Sequence, residues 1–349
     1  MGKTTASSIL ILFVWILPFP GKSAAIRGVA TGSLASIRFN QIDVLRVSPL
    51  IGAEGFPAVA SSQQIEIGGA TIQVDFAQGS LDLPSSAVLP WVQRAAKAVA
   101  GYYGRFPVPR ARILIVPVAD ERGVVQGTTW GDMGGFPGFT RIRLGQHTTQ
   151  DQLASDWTMT HELVHMAFPS LPDDQHWMEE GLATYIEPIA RVQSGELTTA
   201  QIWNDMVRDM PKGEPRNGDL GLDRTHTWGR TYWGGALFCL TADIAIRRQT
   251  NNRKGLQDAL RAIVNAGGTI DQNWSLLRSL EIGDRATGTT VLTELYKKWS
   301  GTPTEVDLNT TWAQLGIRAE ENGVEFDANA PLASIREAIT LPERSSSEK

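Results

Sequence analysis

The chain has 349 residues, of which 42% are hydrophobic, enough to bury one large core or two modest ones. Its 32 basic and 37 acidic residues give a net charge of −5 with neutral histidines, which argues against nucleic acid or an anionic membrane surface as the main partner. Cys239 is the only cysteine, so an intramolecular disulfide is excluded.

The first 25 residues have the three parts of a secretory signal peptide. Lys3 precedes an apolar run at residues 9–19, and small residues follow up to Ala25. The run is interrupted by prolines and is short for a bilayer span. We therefore predict cleavage near Ala25, a secreted or periplasmic location, and no stable membrane insertion after cleavage. The mature chain would then hold 30 basic and 37 acidic residues, a net charge of −7.

The predicted strands lie in the first half of the chain. Residues 63–76 alternate around a Gly-Gly pair and predict a hairpin, and the apolar run 111–118 predicts a buried strand. Six glycines from Gly123 to Gly138 predict a flexible loop or a system of turns. Residues 139–144 alternate and predict a half-exposed strand at the sheet edge. That strand is the expected rim of a substrate groove, where an extended peptide could pair its backbone.

The helical patterns lie mostly after these strands. One earlier helix is predicted from Leu89 to Tyr103, with Pro90 in its first turn and Gly104 as its stop. Further helices are predicted at 149–168, 175–192, 199–209, 230–248, 254–266, 289–299 and 331–339. The first of these has a possible capping box at Thr148 and Asp151. Strands followed by helices indicate an α+β fold.

The domain division follows from the same patterns. We predict a signal peptide at 1–25, an N-terminal β-rich region at 26–90, a catalytic domain at 91–342 and a disordered tail at 343–349.

The helix at 149–168 contains the sequence His161-Glu-Leu-Val-His165. Histidines four positions apart on a helix lie about 40° apart around its axis, so both imidazoles can reach one metal ion. Zinc fits because it accepts neutral imidazole and carboxylate ligands. Glu162 projects at a different angle, so it is a candidate general base that takes a proton from the attacking water. We predict one zinc ion per chain.

The next predicted helix carries Trp177, Glu179, Glu180, Gly181, Ala183 and Tyr185. With the preceding motif, this resembles the gluzincin peptidases, in particular aminopeptidase-N-like enzymes, whose signature is H-E-x-x-H followed by a helix reading W-x-x-E-G-x-A-x-Y. The resemblance implies that Glu180 is the third zinc ligand, and it implies a thermolysin-like zincin fold: a small mixed sheet followed by a largely helical C-terminal part. Only fourteen residues separate His165 from Glu180, fewer than in those families. Glu179 is therefore kept as the alternative ligand.

Two further roles are assigned with alternatives. The segment containing Tyr232, Gly235 and Ala236 resembles the family's Y-x-x-G-A helix start, which implies that Tyr232 donates its hydroxyl to the oxyanion. His226 is the alternative donor. The histidine ligands need outer-shell acceptors, for which Thr184 and Glu187 are the candidates.

The resulting hypothesis is a secreted zinc metallopeptidase acting on a peptide or protein substrate. The chain lacks the G-A-M-E-N type sequence through which aminopeptidases hold a free N-terminus, so an exopeptidase is not indicated. Two alternatives remain: a zinc amidase or esterase acting on non-peptide substrates, and a zinc-containing binding module without turnover. The sequence leaves the oligomeric state undetermined.

Overall fold

The computed structural model describes residues 56–341, so the predicted signal peptide and the predicted tail lie outside the described residues. The described elements all belong to one compact unit. Seven strands and eleven α-helices follow one another within residues 56–341. The N-terminal elements are β1 (Val59–Ile67), β2 (Ala70–Ala77), α1 (Ser85–Tyr103), β3 (Arg110–Val118), β4 (Val124–Met133), β5 (Phe136–Gly145), α2 (Gln150–Ser155) and α3 (Thr158–His165). The C-terminal elements are α4 (His176–Gln193), α5 (Thr199–Asp209), α6 (Gly235–Gln249), α7 (Leu256–Asn265), α8 (Leu276–Thr287), α9 (Val291–Trp299), α10 (Leu308–Leu315), β6 (Ile317–Glu320), β7 (Gly323–Phe326) and α11 (Ala333–Thr340).

The first five strands form one mixed sheet in the order β1-β2-β3-β5-β4. β2, β3 and β5 run parallel, while β1 and β4 pair antiparallel at the two edges. The predicted hairpin is confirmed: Gly68 and Gly69 both adopt positive φ angles between β1 and β2. The predicted buried strand is confirmed as β3. The α+β class is confirmed as well. Because β1 and β2 share the sheet with β3, the sheet continues across residue 90; the domain boundaries themselves stay a prediction.

The glycine-rich stretch before β5 was predicted wrongly as a flexible loop or a system of turns. It forms the ten-residue strand β4, and β4 rather than β5 is the edge strand. Glycine at Gly127 and Gly131 normally weakens a strand. Here each lies where another part of the chain approaches the backbone closely: the Glu162 side chain at Gly127, and the Ile270 carbonyl at Gly131. The edge position that was predicted for β5 therefore belongs to β4.

The helix predicted at 149–168 is two helices, α2 and α3. Asp156 explains the break, because its carboxylate accepts hydrogen bonds from the backbone N–H of Met159 and the indole N–H of Trp91, both at 3.0 Å. A side chain that caps backbone donors in this way favours a new helix start. The capping box of α2 is formed by Thr149 and Gln152, one residue later than predicted.

Other predicted boundaries also move. α1 starts at Ser85, so Pro90 lies inside the helix rather than in its first turn, while Gly104 ends it as predicted with a φ of 79°. The predicted helix at 230–248 begins with a π-helical segment, Gly229–Gly234, which continues into α6. The helices α8 and α10 and the β6–β7 hairpin were not predicted.

One main hydrophobic core joins the sheet to the helices. Its sheet side is supplied by inward-facing residues such as Ile113, Ile115, Ile142 and Leu144, all fully buried. α1, α3 and α4 pack against one another on this side. α3 also contacts β4 and β5, so the histidine motif is held between the sheet edge and α4.

Candidate metal centre

Two packed helices bring the three predicted zinc ligands together. His161 and His165 lie on α3, and Glu180 lies in the first half of α4. One Oε atom of Glu180 lies 3.1 Å from Nε2 of His161 and 3.7 Å from Nε2 of His165. Within residues 56–341, these three form the one group of His, Cys, Asp or Glu side chains whose ligand atoms all lie close enough for a shared ion, within 4.8 Å of one another.

The neighbouring carboxylate, Glu179, points elsewhere. Its Oε2 lies 3.1 Å from Nδ1 of His176, and its Oε1 accepts a 3.4 Å hydrogen bond from the backbone N–H of Leu171. These contacts tie Glu179 to the loop between α3 and α4. The geometry favours Glu180 over Glu179 as the third ligand.

The protonation states of the donors suit a divalent metal. Burial lowers the pKa of His165 to about 4, which leaves its imidazole neutral with a free lone pair. Although burial disfavours its charge, the pKa of Glu180 is held well below its usual value by His165, His161 and His176. Burial opposes protonation of His161, but the hydrogen bond and charge of Glu180 raise its pKa, so a metal competes there with a proton. Two imidazoles and a carboxylate match the ligand set of catalytic zinc sites.

Glu162 is buried beside this group, between α3 and β4. Its Oε2 accepts a 2.7 Å hydrogen bond from the hydroxyl of Thr129 on β4, which also contacts the Thr140 hydroxyl at 2.9 Å. Burial raises the pKa of Glu162 to about 7, against the opposing effects of His161 and Thr129. A carboxyl group that titrates near neutral pH can both accept and return a proton. A Cβ atom added at Gly127 would lie 2.6 Å from Glu162, so the bare backbone there makes room for this side chain.

Tyr232 lies beside the metal group, in the π-helical segment. Its hydroxyl hydrogen-bonds to the Glu180 carboxylate, and burial followed by the charges of Glu180 and Glu162 holds its pKa well above the usual value. Its ring stacks on His161 with centroids 6.3 Å apart and an interplanar angle of 19°. π-helical turns are frequent at functional sites. Tyr232 is therefore protonated and able to donate a hydrogen bond into the site.

A glycine contact fixes this placement. A Cβ atom added at Gly181 would lie 2.3 Å from the Gly235 backbone, and one added at Gly235 would lie 2.2 Å from the carbonyl oxygen of Trp177. The start of α6 therefore touches α4 backbone to backbone, one residue after Glu180. The two glycines bring the Tyr232 segment to the carboxylate.

Three further residues were predicted to take part in the site: His226, Glu187 and Thr184. His226 is exposed, and it acts electrostatically on Asp223. Glu187 is buried, pairs with Arg191 at 2.9 Å, and its charge helps to raise the pKa of His161. Thr184 is half-buried on the same helix.

Sequence reasoning missed His176 and Thr129. Nε2 of His176 lies 3.2 Å from the second carboxylate oxygen of Glu180. Although burial opposes its charge, hydrogen bonds to Glu179 and Glu180 raise its pKa to about 10, so it is a cation that orients both carboxylates. The spacing of His176 and Glu180, four residues apart on one helix, was the available signal. Thr129 had no signal once its segment was interpreted as a loop.

None of the helices between residues 56 and 341 has the length and apolar character that a bilayer-spanning segment needs.

No protein-family profile matches the chain, and no curated protein matches it. Solved structures do match. The chain is similar to an aminopeptidase N family protein from Idiomarina loihiensis at 13% identity and a TM-score of 0.54, over 78% of this chain and 53% of that one. It is also similar to an M1 zinc metallopeptidase from Deinococcus radiodurans at 18% identity and a TM-score of 0.45, over 72% of this chain and 52% of that one.

The chain thus spans about half the length of the solved structures it matches. The first likeness confirms the predicted α+β fold and its resemblance to the fold of an aminopeptidase N family protein. At this identity the likeness concerns the fold alone.

Proposed function

We propose that this chain is an exported, zinc-dependent peptidase in which His161, His165 and Glu180 hold one zinc ion. The single observation that carries the proposal is the convergence of these three side chains beside a buried Glu162 whose pKa is raised to about 7. A metal-ligand group needs no such neighbour, whereas a hydrolytic site needs a base in this position. The fold shared with an aminopeptidase N family protein is consistent with the proposal.

The roles of the residues follow from their positions. Zinc, when bound, supplies a Lewis acid that polarises a carbonyl and acidifies water. Glu162 takes the proton of the attacking water and returns it to the leaving amine, and Thr129 holds the carboxylate in place through its 2.7 Å hydrogen bond. Tyr232 donates its hydroxyl to the carbonyl oxygen as negative charge develops there. β4, which is an edge strand among residues 56–341, would offer backbone groups to an extended substrate.

Peptides are the favoured substrate class because an extended backbone fits an edge strand that runs beside the base. A zinc amidase or esterase for non-peptide substrates would use the same residues, and a zinc-containing binding module would use the ligands without Glu162 and Tyr232. The presence of both Tyr232, as hydrogen-bond donor, and Glu162, as base, favours an enzyme over a binding module.

The test is a cleavage assay with a blocked peptide library, comparing wild type with Glu162→Gln after loading with zinc. We expect cleavage by wild type and a loss on the order of 10² to 10⁴ in rate for the variant, because general acid–base catalysis contributes about that factor. Glu281→Gln, on an exposed face of α8, is the matched control and should cleave like wild type.

Three outcomes would redirect the proposal. Equal rates for wild type and Glu162→Gln would contradict the mechanism. Glu162-dependent hydrolysis of simple amides or esters, without peptide cleavage, would establish the non-peptide alternative. One bound zinc without any hydrolysis would establish the binding module.

A further inference from the structure

A row of aromatic rings leads from the metal group to the solvent. The Trp157 indole meets the His161 ring edge-on with centroids 5.3 Å apart, and the His161 ring also stacks on Tyr232 with centroids 6.3 Å apart. Tyr232 in turn stacks on Trp228, with centroids 5.9 Å apart and an interplanar angle of 27°. The row therefore ends at Trp228, two ring steps from a predicted zinc ligand.

Trp228 is unusual because it is exposed. The residue keeps 49% of its surface in contact with solvent, whereas Trp177 and Trp203 are deeply buried. A large exposed aromatic beside a candidate catalytic site is an informative feature, since such rings commonly anchor ligands. One face of the Trp228 ring is already occupied by Tyr232.

The backbone that carries Trp228 is held firmly. A Cβ atom added at Gly229 would lie 2.4 Å from the carbonyl oxygen of Lys212, so the π-helical segment packs directly on the 3₁₀ turn at Met210–Gly213. The next residue, Arg230, is buried and pairs with Asp219 at 2.8 Å. A ring on a fixed backbone can select among substrate side chains, whereas a ring on a loose loop would adapt to them.

The ammonium group of Lys212 lies near the Trp228 ring. Nζ of Lys212 lies 5.8 Å from the centroid of Trp228, and it is anchored at 2.7 Å to a carboxylate oxygen of Asp209. A second cation brought to Trp228 would meet this ammonium group. The ring and the lysine together therefore accept apolar or aromatic groups and repel basic ones.

We propose that Trp228 is a specificity-determining residue that receives a large apolar or aromatic substrate side chain, and that Lys212 selects against lysine or arginine at the same position. This inference rests on the proposed function. An extended chain advances about 3.3 to 3.6 Å per residue. Ring steps of 6.3 and 5.9 Å place the Trp228 ring at most about 12 Å from the His161 ring, which is the length of about three to four extended residues. The substrate class is a peptide with an aromatic or bulky aliphatic residue near the bond that is cut.

The first arm of the test measures cleavage. Blocked peptides that differ only in one residue, phenylalanine, alanine or lysine, are scanned through each position around the cleaved bond. Trp228→Ala should lower kcat/KM at least tenfold for the phenylalanine peptides at one position and less than about twofold for the alanine peptides, since one lost apolar pocket contact is worth about that factor. Trp228→Phe should restore most of the preference. Lys212→Glu should raise cleavage of the lysine peptides.

Phe326→Ala is the matched control. This phenylalanine is 38% exposed and lies under a cation, with the Arg336 guanidinium 4.5 Å from its ring, but it belongs to the β6–β7 hairpin. Its loss should leave the preference unchanged. An equal fall for all peptides in Trp228→Ala, or an unchanged preference, would overturn the inference.

The second arm measures binding without turnover and separates the two proposals. Calorimetry compares the phenylalanine and alanine peptides on Glu162→Gln and on the double variant Glu162→Gln/Trp228→Ala, both loaded with zinc. Tighter binding of the phenylalanine peptide that disappears in the double variant supports the inference even where wild type cleaves neither peptide, in which case only the proposed function fails. Equal affinities of both peptides for Glu162→Gln would contradict the inference.

Discussion

Glu162 and Glu180, on the neighbouring helices α3 and α4, have pKa values shifted in opposite directions. Burial raises the pKa of Glu162 to about 7, whereas His165, His161 and His176 hold the pKa of Glu180 well below its usual value despite burial. Environments that separate the pKa values of nearby acids assign their roles. Glu180 remains ionised and suits a metal ligand, and Glu162 suits proton transfer near neutral pH.

Tyr232 gives a prediction at the same scale. Tyr232→Phe removes the hydroxyl that would meet the oxyanion and keeps the ring that stacks on His161. The oxyanion exists only near the transition state, so we expect kcat to fall by a factor on the order of 10² to 10³ with a smaller change in KM. Steady-state kinetics on a cleaved peptide check this.

His226→Ala is the control for Tyr232→Phe. Because His226 is exposed and the Tyr232 hydroxyl contacts Glu180, we expect this variant to retain wild-type kcat. A silent Tyr232→Phe together with an impaired His226→Ala would move the donor role to His226.

The sequence predicted the site residues unevenly. The spacing of His161 and His165 encodes their shared face, because four residues make about one helical turn. Thr129 could not be found this way, because its hydrogen bond to Glu162 joins positions 33 residues apart. Contacts of that kind depend on how the sheet edge meets α3.

At the scale of elements, glycines in β4 leave room for other parts of the chain that approach its backbone closely. Gly127→Ala would place a Cβ atom 2.6 Å from Cγ and Oε1 of Glu162. The Glu162 side chain can move, so we expect the free energy of unfolding to change by less than about 1 kcal/mol, while the displaced base lowers kcat by a factor on the order of 10². Urea unfolding and kinetics on the same variant measure both quantities.

Gly131→Ala is the comparison for Gly127→Ala on the same face of β4. Its Cβ atom would lie 2.1 Å from the backbone carbonyl oxygen of Ile270, which cannot rotate away. We expect this variant to lose stability instead. Equal effects of the two substitutions on kcat and on stability would contradict the role given to Gly127.

The contact between α4 and α6 supports a second prediction for elements. Gly181→Ala would bring a Cβ atom to 2.3 Å from the Gly235 backbone and separate the two helices. We expect a loss of about 1 to 3 kcal/mol in the free energy of unfolding, because overpacking outweighs the gain in helix propensity. Urea unfolding measures it.

Gly101→Ala is the matched control. Gly101 lies in α1 with no atom within 4 Å of an added Cβ, so alanine there should stabilise the protein by up to about 1 kcal/mol. A Gly181→Ala variant as stable as Gly101→Ala would show that the helices do not need this contact.

Elements were predictable where local chemistry defined them. Gly68 and Gly69 specify a turn by their positive φ angles, and Gly104 ends α1 in the same way. The split between α2 and α3 was not predictable, because Asp156 also depends on Trp91, 65 residues away. The strand β4 was missed for the same reason: its glycines are explained by Glu162 and Ile270, not by their neighbours in the chain.

For the whole molecule, the order of strands before helices was sufficient to predict the α+β class. The strand order β1-β2-β3-β5-β4 was not predictable. β4 lies between β3 and β5 in the sequence, but in the sheet it lies at the edge, antiparallel to β5. No local sequence pattern indicates that arrangement. The cleavage near Ala25 and the domain boundaries stay predictions.

The central claim is that one zinc ion is held by His161, His165 and Glu180 and is used by Glu162. Metal content per chain, measured by mass spectrometry after zinc loading and gel filtration, tests it most directly in wild type, His161→Ala and Glu162→Gln. We predict one equivalent in wild type, almost none in His161→Ala, and one in Glu162→Gln, because Glu162 is outside the ligand group. A full equivalent of zinc in His161→Ala, or none in wild type, would contradict the account.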